Sequence, residues 1–239
     1  MKLYDEVIRE IDSILRPYRY SKLDAMKKCR WKDVGKESMI LRGDMAYELG
    51  GSNLAAMGSM LLTDNADLVP GDEICLYGKD LSEIREDTPF VRIAIVRVKP
   101  EGMGEGNALY NAIRKLEFTK YHIFPDGYMM RISAASDREM VRISKEAVKK
   151  RISFREIGKM FIDGYHKSPQ VEAVKMIFIT LPDVPYEKLH AQVKKSEEIT
   201  KAIDHILKNL AMDCNVCNLK QICDEVEGMK ELHFKNQMI

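Results

Sequence analysis

The chain has 239 residues, 45% apolar and 31% charged, a balance typical of a folded globular protein long enough to bury a core. Its formal net charge is +1, so no global field draws it to nucleic acid or to a membrane surface. No run reaches the roughly 18 apolar residues of a spanning helix. The charged start MKLYDEVIREIDSILRPY lacks the apolar centre of a signal peptide. Five cysteines, three of them bunched, do not read as a disulfide framework, and the expected compartment is the cytoplasm.

In chain order, Tyr4, Val7, Ile8, Ile11, Ile14, Leu15 and Tyr18 recur at helical spacing and predict an amphipathic helix over residues 3–16, stopped before Pro17. Residues 19–38 are polar and basic, hold Cys29 and the single tryptophan, Trp31, and read as a loop with room for a short helix. From Met39 to Arg97 the texture changes to short apolar runs between turn residues. Strands are expected at Met45 to Leu49, Ser59 to Leu62, Glu73 to Tyr77 and Phe90 to Val98. After Pro100, GMGEGNALYNAIRKLEF reads as a Gly-rich loop entering a helix, and YMMRIS (128–133) as a strand. Ser136-Asp137-Arg138-Glu139 offers an N-cap for a helix to about Lys150. Ser153 with Glu156 makes a capping-box pattern opening a helix to about Tyr165. Val174 to Leu181 is a buried-strand candidate, and apolar residues from Leu189 to Leu210 stripe a long final helix.

Strands and helices both alternate and segregate, so the expected class is α+β, a mixed sheet packed with several helices, plus a short C-terminal cysteine-rich metal module. The expected organisation is an N-terminal helix and loop over 1–38, an α+β domain over 39–210 and a metal-binding tail over 211–239. The fifteen methionines read as core filler.

The tail MDCNVCNLKQICDEVEGMKELHF (212–234) carries the sharpest signal. Cys214, Cys217 and Cys223 are spaced Cys-x2-Cys-x5-Cys, and His233 follows. Cysteines two residues apart can turn both thiolates toward one metal, and thiolates favour zinc, copper(I) and iron–sulfur clusters. Three Cys and one His describe a closed zinc site. A 4Fe-4S cluster needs a fourth ligand as well, with His233, Cys29, Cys75 or a partner as candidates. Cys75, in EICLYG, reads as core, and Cys29, in KKCRW, as exposed. The competing readings are three reduced cysteines packed as small hydrophobes, or a redox dithiol.

His122, His166, His190 and His205 share no ligand spacing, and Gly102, Gly104 and Gly106 read as loop and cap rather than a phosphate cradle. Between Arg131 and Lys159, nine basic residues stand against four acidic ones. That excess reads as a solvated helix face or as a surface for an anionic partner, such as coenzyme phosphates or an acidic protein. No paired carboxylates, triad or nucleophile motif suggests a self-sufficient transferase.

The order RGDMAYELGG (42–51), GDEICLYGKDLSEI (71–84), FVRIAIVRV (90–98) and ISFREIGKMFIDGYHKSPQVEAVKMIFITLPD (152–183) resembles the acetyl-CoA synthase subunit of the CO dehydrogenase/acetyl-CoA synthase complex, in the part preceding its metal cluster. The resemblance covers roughly residues 39–200. It implies the coenzyme-A-facing middle domain, with Arg131, Arg138, Arg142, Lys149, Arg151 and Arg155 as candidate phosphate contacts. It also implies that Cys214, Cys217 and Cys223 stand for the first three ligands of the family's Cys-x2-Cys-x8-Cys-x9-Cys cubane motif. Here the second gap is five, His233 stands at the place of the fourth cysteine, and the Cys-Gly-Cys segment carrying the distal nickel has no counterpart. The implied role is accessory, electron-transfer or subunit, in anaerobic one-carbon metabolism beside CO dehydrogenase/acetyl-CoA synthase or corrinoid methyl-transfer proteins. The alternative is a non-catalytic partner-binding protein with a structural zinc site.

Overall fold

The computed structural model describes residues 2–105, 107–132, 138–207, 217, 219–226 and 229. The N-terminal stripe folds as α1 (Asp5–Leu15), burying Val7, Ile8, Ile11 and Leu15. Eight strands follow among the described residues: β1 (Ser21–Leu23), β2 (Met45–Leu49), β3 (Ala56–Thr63), β4 (Glu73–Tyr77), β5 (Phe90–Val98), β6 (Tyr128–Ile132), β7 (Glu139–Ser144) and β8 (Val171–Ile179). The remaining α-helices are α2 (Asn107–Glu117), α3 (Lys145–Lys149), α4 (Phe154–Tyr165), α5 (Tyr186–Leu207) and α6 (Lys220–Glu225).

The larger sheet has the order β1-β4-β8-β5-β3 and is mixed as expected: β3 runs parallel to β5 and β4 to β8, while β5 meets β8 antiparallel. The central strands β5 and β8 read as near-continuous apolar runs because both of their faces are covered. Side chains alternate across the sheet. Phe178 of β8 and Phe90 of β5 stack with Phe154 on the α4 side. On the other side, Ser59 meets Ser196 of α5 and Thr63 meets Asp5 of α1. Gly158 lets α4 come close, since a Cβ there would stand 2.9 Å from Ile74 Cδ1.

A second, antiparallel sheet of order β2-β7-β6 lies on the α4 side of the first, and the sequence did not announce it. Arg92 of β5 and Glu139 of β7 join the two sheets through a buried bidentate pair, Nε to Oε1 at 2.6 Å and Nη2 to Oε2 at 2.7 Å. The Phe161 ring of α4 covers the guanidinium at 4.8 Å. Gly58 of β3 makes room for the pair, because a Cβ there would stand 2.3 Å from Glu139 Oε2.

The helix expected up to Lys150 is a correction. Glu139–Ser144 is a strand whose burial alternates with period two, Val141 and Ile143 facing inward. Only Lys145–Lys149 is helical, and its cap is Ser144, whose hydroxyl accepts from the Ala147 N–H. The proposed cap, Ser136, lies outside the described residues. Ser153 does cap α4, accepting from the Glu156 N–H. The Glu156 carboxylate does not close the capping box and instead accepts the N–H groups of Arg30 and Trp31. The segment read as a loop contributes β1, and α6 forms within the cysteine-bearing tail.

Candidate functional site

Two of the three clustered cysteines are described. Cys217 precedes α6 and accepts the Lys220 N–H on its carbonyl at 3.1 Å; Cys223 sits within the helix. Leu219, Ile222, Val226 and Met229 are buried, and α6 packs on α5, so apolar side chains dock this segment onto the main core. Cys217 and Cys223 lie half-buried at the margin of that contact. Cys214 and His233 fall outside the described residues. Among the described residues no three of His, Cys, Asp and Glu converge to hold a metal ion.

Cys75 is core, as expected, and burial pushes its thiol up to about 12. Cys29 departs from its expected exposure. Trp31 is anchored by its indole N–H on Asp126 O at 2.8 Å, and Cys29 beside it is half-buried, with Sγ 3.6 Å from Glu156 O. Burial raises this thiol too. Both cysteines are therefore poorer thiolates than a free side chain.

The basic stretch separates into two groups. Register places Arg142 of β7 opposite Glu48 of β2, and Arg131 of β6 reaches the same carboxylate. Glu48 Oε1 accepts from Arg131 Nη1 at 2.6 Å and from Arg142 Nε at 3.0 Å. Arg142 also donates to Ile40 O, and Arg138 to Gly50 O at 3.0 Å. Arg131, Arg138 and Arg142 thus border one strip of the small sheet, whose opposite face buries Tyr47, Leu49, Val141 and Ile143. Arg131 and Arg142 set two cations against the one carboxylate of Glu48. Lys149, the last residue of α3, and Arg151, on the connection to α4 with φ +59°, are exposed. Arg155, in the first turn of α4, is half-buried, paired with Glu156 and donating to Lys27 O.

Of the Gly-rich segment, Pro100–Gly102 forms a short 3-10 turn before α2 and Gly104 takes φ +71°, while Gly106 lies outside the described residues. Among the other histidines, His166 holds Asp72 at 2.9 Å.

Sequence reading missed one polar site altogether. Lys120, from the 3-10 turn after α2, brings its Nζ to 4.0 Å from Glu139 Oε2, at the buried pair with Arg92. Burial pushes the Glu139 carboxyl up, but the Arg92 charge and hydrogen bonds, with Lys120, outweigh it and hold the pKa below the usual range. Burial lowers the Lys120 pKa, against the pull of Glu139. The available signal was Arg92, the inner of two arginines in the apolar strand FVRIAIVRV, since such a residue is almost never buried without a partner.

The class these features define is an α+β protein that combines a mixed sheet, an arginine-bordered strip and a thiol-bearing segment docked on its long helix. The chain belongs to the family described as CO dehydrogenase/acetyl-CoA synthase complex beta subunit, whose model matches residues 34–184, more than half of its length. The matched span runs from before β2 to just beyond β8 and includes Glu48, Arg131, Arg138 and Arg142; it ends before α5 and the three clustered cysteines. No curated protein matches the chain.

Proposed function

We propose that this chain is an acetyl-CoA-synthase-related metalloprotein of anaerobic CO, methyl and acetyl-CoA metabolism, with an accessory, electron-transfer or subunit role. Family membership across the α+β core is the observation that carries the reading. CO dehydrogenase/acetyl-CoA synthase components and corrinoid methyl-transfer proteins are the proposed partners. The strip bordered by Arg131, Arg138 and Arg142 offers guanidinium donors to coenzyme A phosphates, with Lys149, Arg151 and Arg155 as further candidates on the α3–α4 side. Glu48 holds two of these arginines in fixed orientations, which favours planar, bidentate recognition over a loose cation cloud.

Cys214, Cys217 and Cys223 are the proposed ligands of a 4Fe-4S cluster, with His233 or a partner completing the set. The donor chemistry fits, because three thiols are soft ligands, and the two described ones are half-buried. Leu219, Ile222 and Val226 fix the segment to the core, so the thiols are presented from a packed base. Such a cluster, when bound, supplies one-electron transfer.

The test is iron, sulfide and zinc analysis of the full chain purified without oxygen, with its visible absorption spectrum. About four irons with matching sulfide, lost in Cys217→Ser and Cys223→Ser, is the expected result. One colourless zinc would overturn the cluster and leave a structural zinc site on a partner-binding protein. Coenzyme A titration of the wild type and of Arg131→Ala tests the strip separately.

A further inference from the structure

The segment between β1 and β2 is fastened to the start of α4. Arg155 Nη1 donates to Lys27 O at 3.0 Å, across 128 residues, and the Glu156 carboxylate accepts the N–H groups of Arg30 and Trp31. The Asp126 N–H reaches Lys32 O at 2.9 Å, and the Trp31 indole N–H reaches Asp126 O. Lys150 Nζ lies 3.8 Å from Asp126 Oδ2, which brings the residue after α3 to the same place. Two basic stretches far apart in the chain therefore share one face on a fixed backbone.

The charge of this face is unbalanced. Residues 24–37 and 145–156, with Asp80 and Asp126, hold ten basic side chains against seven acidic ones, an excess of three in a chain whose total is +1. Most of the acids are taken up by the protein itself. Asp24 accepts the Met26 and Lys27 N–H groups, Asp33 that of Gly35, and Asp80 those of Leu81 and Phe154. Asp126 and Glu146 share Lys150. By contrast Lys27, Lys28, Arg30, Lys32, Lys149 and Arg151 are exposed, and among the described residues none of them has a carboxylate partner. Met26, next to Lys27, is 83% exposed, an apolar side chain standing in water beside the cations.

Carboxylates on another molecule would answer those charges, and an exposed methionine offers an apolar anchor next to them. Nucleic acid is the poorer match. The chain as a whole carries only +1, and the two aromatic residues of these stretches, Trp31 and Phe154, are half-buried and buried, so no ring is free to stack on a base.

We propose that this face docks an acidic protein, whose carboxylates meet Lys27, Lys28, Arg30 and Lys32 around a contact with Met26. Lys149 and Arg151 extend the face from the second stretch. The proposal requires neither the cluster nor coenzyme A, so it stands or falls independently of both.

The test is fluorescence anisotropy of a labelled glutamate-rich peptide with a central leucine, titrated with the full chain. Its glutamine counterpart and an oligo-dT of equal charge serve as comparison probes. Saturable binding of the glutamate peptide is expected, falling with added salt, with none for the glutamine peptide. Lys27→Glu/Lys28→Glu/Arg30→Glu should weaken it at least about tenfold. Lys188→Glu/Lys194→Glu/Lys201→Glu, which changes the net charge equally from exposed positions on α5, should weaken it less than about twofold. Met26→Ala should weaken it about threefold or more at unchanged charge. Circular dichroism verifies that each variant is folded. No saturable binding of the glutamate peptide, an equal loss in the α5 variant, unchanged affinity in Met26→Ala, or tighter binding of oligo-dT overturns the proposal.

Discussion

Glu139→Gln isolates the physics of the junction between the two sheets. The carboxylate makes two hydrogen bonds of 2.6 and 2.7 Å to a guanidinium that is 1% exposed. Replacing it with an amide keeps the shape but removes the negative charge and one of the two acceptors. Arg92 cannot discharge itself, because Arg stays protonated at any working pH. Removing one member of such a buried pair costs about 3–5 kcal/mol. With a urea slope of about 3 kcal/mol/M, the unfolding midpoint should fall by roughly 1 M or more. Urea unfolding followed by circular dichroism reads this directly. The double variant Arg92→Met/Glu139→Met should be less destabilised than the sum of its singles, because no orphan charge remains. Gly58→Ala should reach the same junction from β3, its new Cβ falling 2.3 Å from Glu139 Oε2 and 3.1 Å from Arg92 Nη2. Acid gives an independent reading. The folded pKa of Glu139 is held below its ordinary value, so its stabilisation is complete above about pH 4.3 and is lost as pH falls through the folded value. The gap between wild type and Glu139→Gln should therefore close in acid. A cost below about 1 kcal/mol for Glu139→Gln, or strict additivity in the cycle, would refute the reasoning.

Other expectations concern the caps, the strip and the thiols. Ser144→Ala removes the hydroxyl that accepts the Ala147 N–H and should cost about 1 kcal/mol in the same unfolding assay. Glu48→Gln releases Arg131 and Arg142 from their fixed orientations; it should lower stability by about 1–2 kcal/mol and weaken coenzyme A binding, measured by titration at low salt. Cys75, with its thiol pushed up to about 12 by burial, should resist iodoacetamide at pH 8 until the protein is denatured, as peptide mass mapping would show.

What the sequence made legible, and what it hid, follows from the range of the interactions involved. β2, β4 and β5 have the expected bounds because each is an apolar run closed by turn residues, a local signal. Glu139 was misread because its neighbours imitate a helix start, whereas its partner Arg92 lies 47 residues away in another sheet. The basic stretch looked uniform along the chain, yet Arg131 and Arg142 answer to Glu48, 83 and 94 residues away, and Arg155 answers to its own neighbour Glu156. Cys29 seemed exposed from KKCRW alone; its burial comes from Trp31 docking on Asp126 and from Glu156. The cysteine spacing was plain to see, and Cys217 and Cys223 lie half-buried against an apolar base that the spacing could not reveal.

The position of β8 has a consequence for how the chain can be made and cut. It is the last strand in sequence and the middle strand of the larger sheet, pairing with β4 on one side and β5 on the other. Until Val171–Ile179 emerges, β1–β4 and β5–β3 are two separate ribbons, each marginal in water and each with an apolar edge open to foreign strands. Synthesis on the ribosome therefore passes through a long interval in which the sheet is two halves awaiting their keystone. A truncation ahead of Val171 returns the chain to that sticky state, because it removes the one strand that pairs with both β4 and β5.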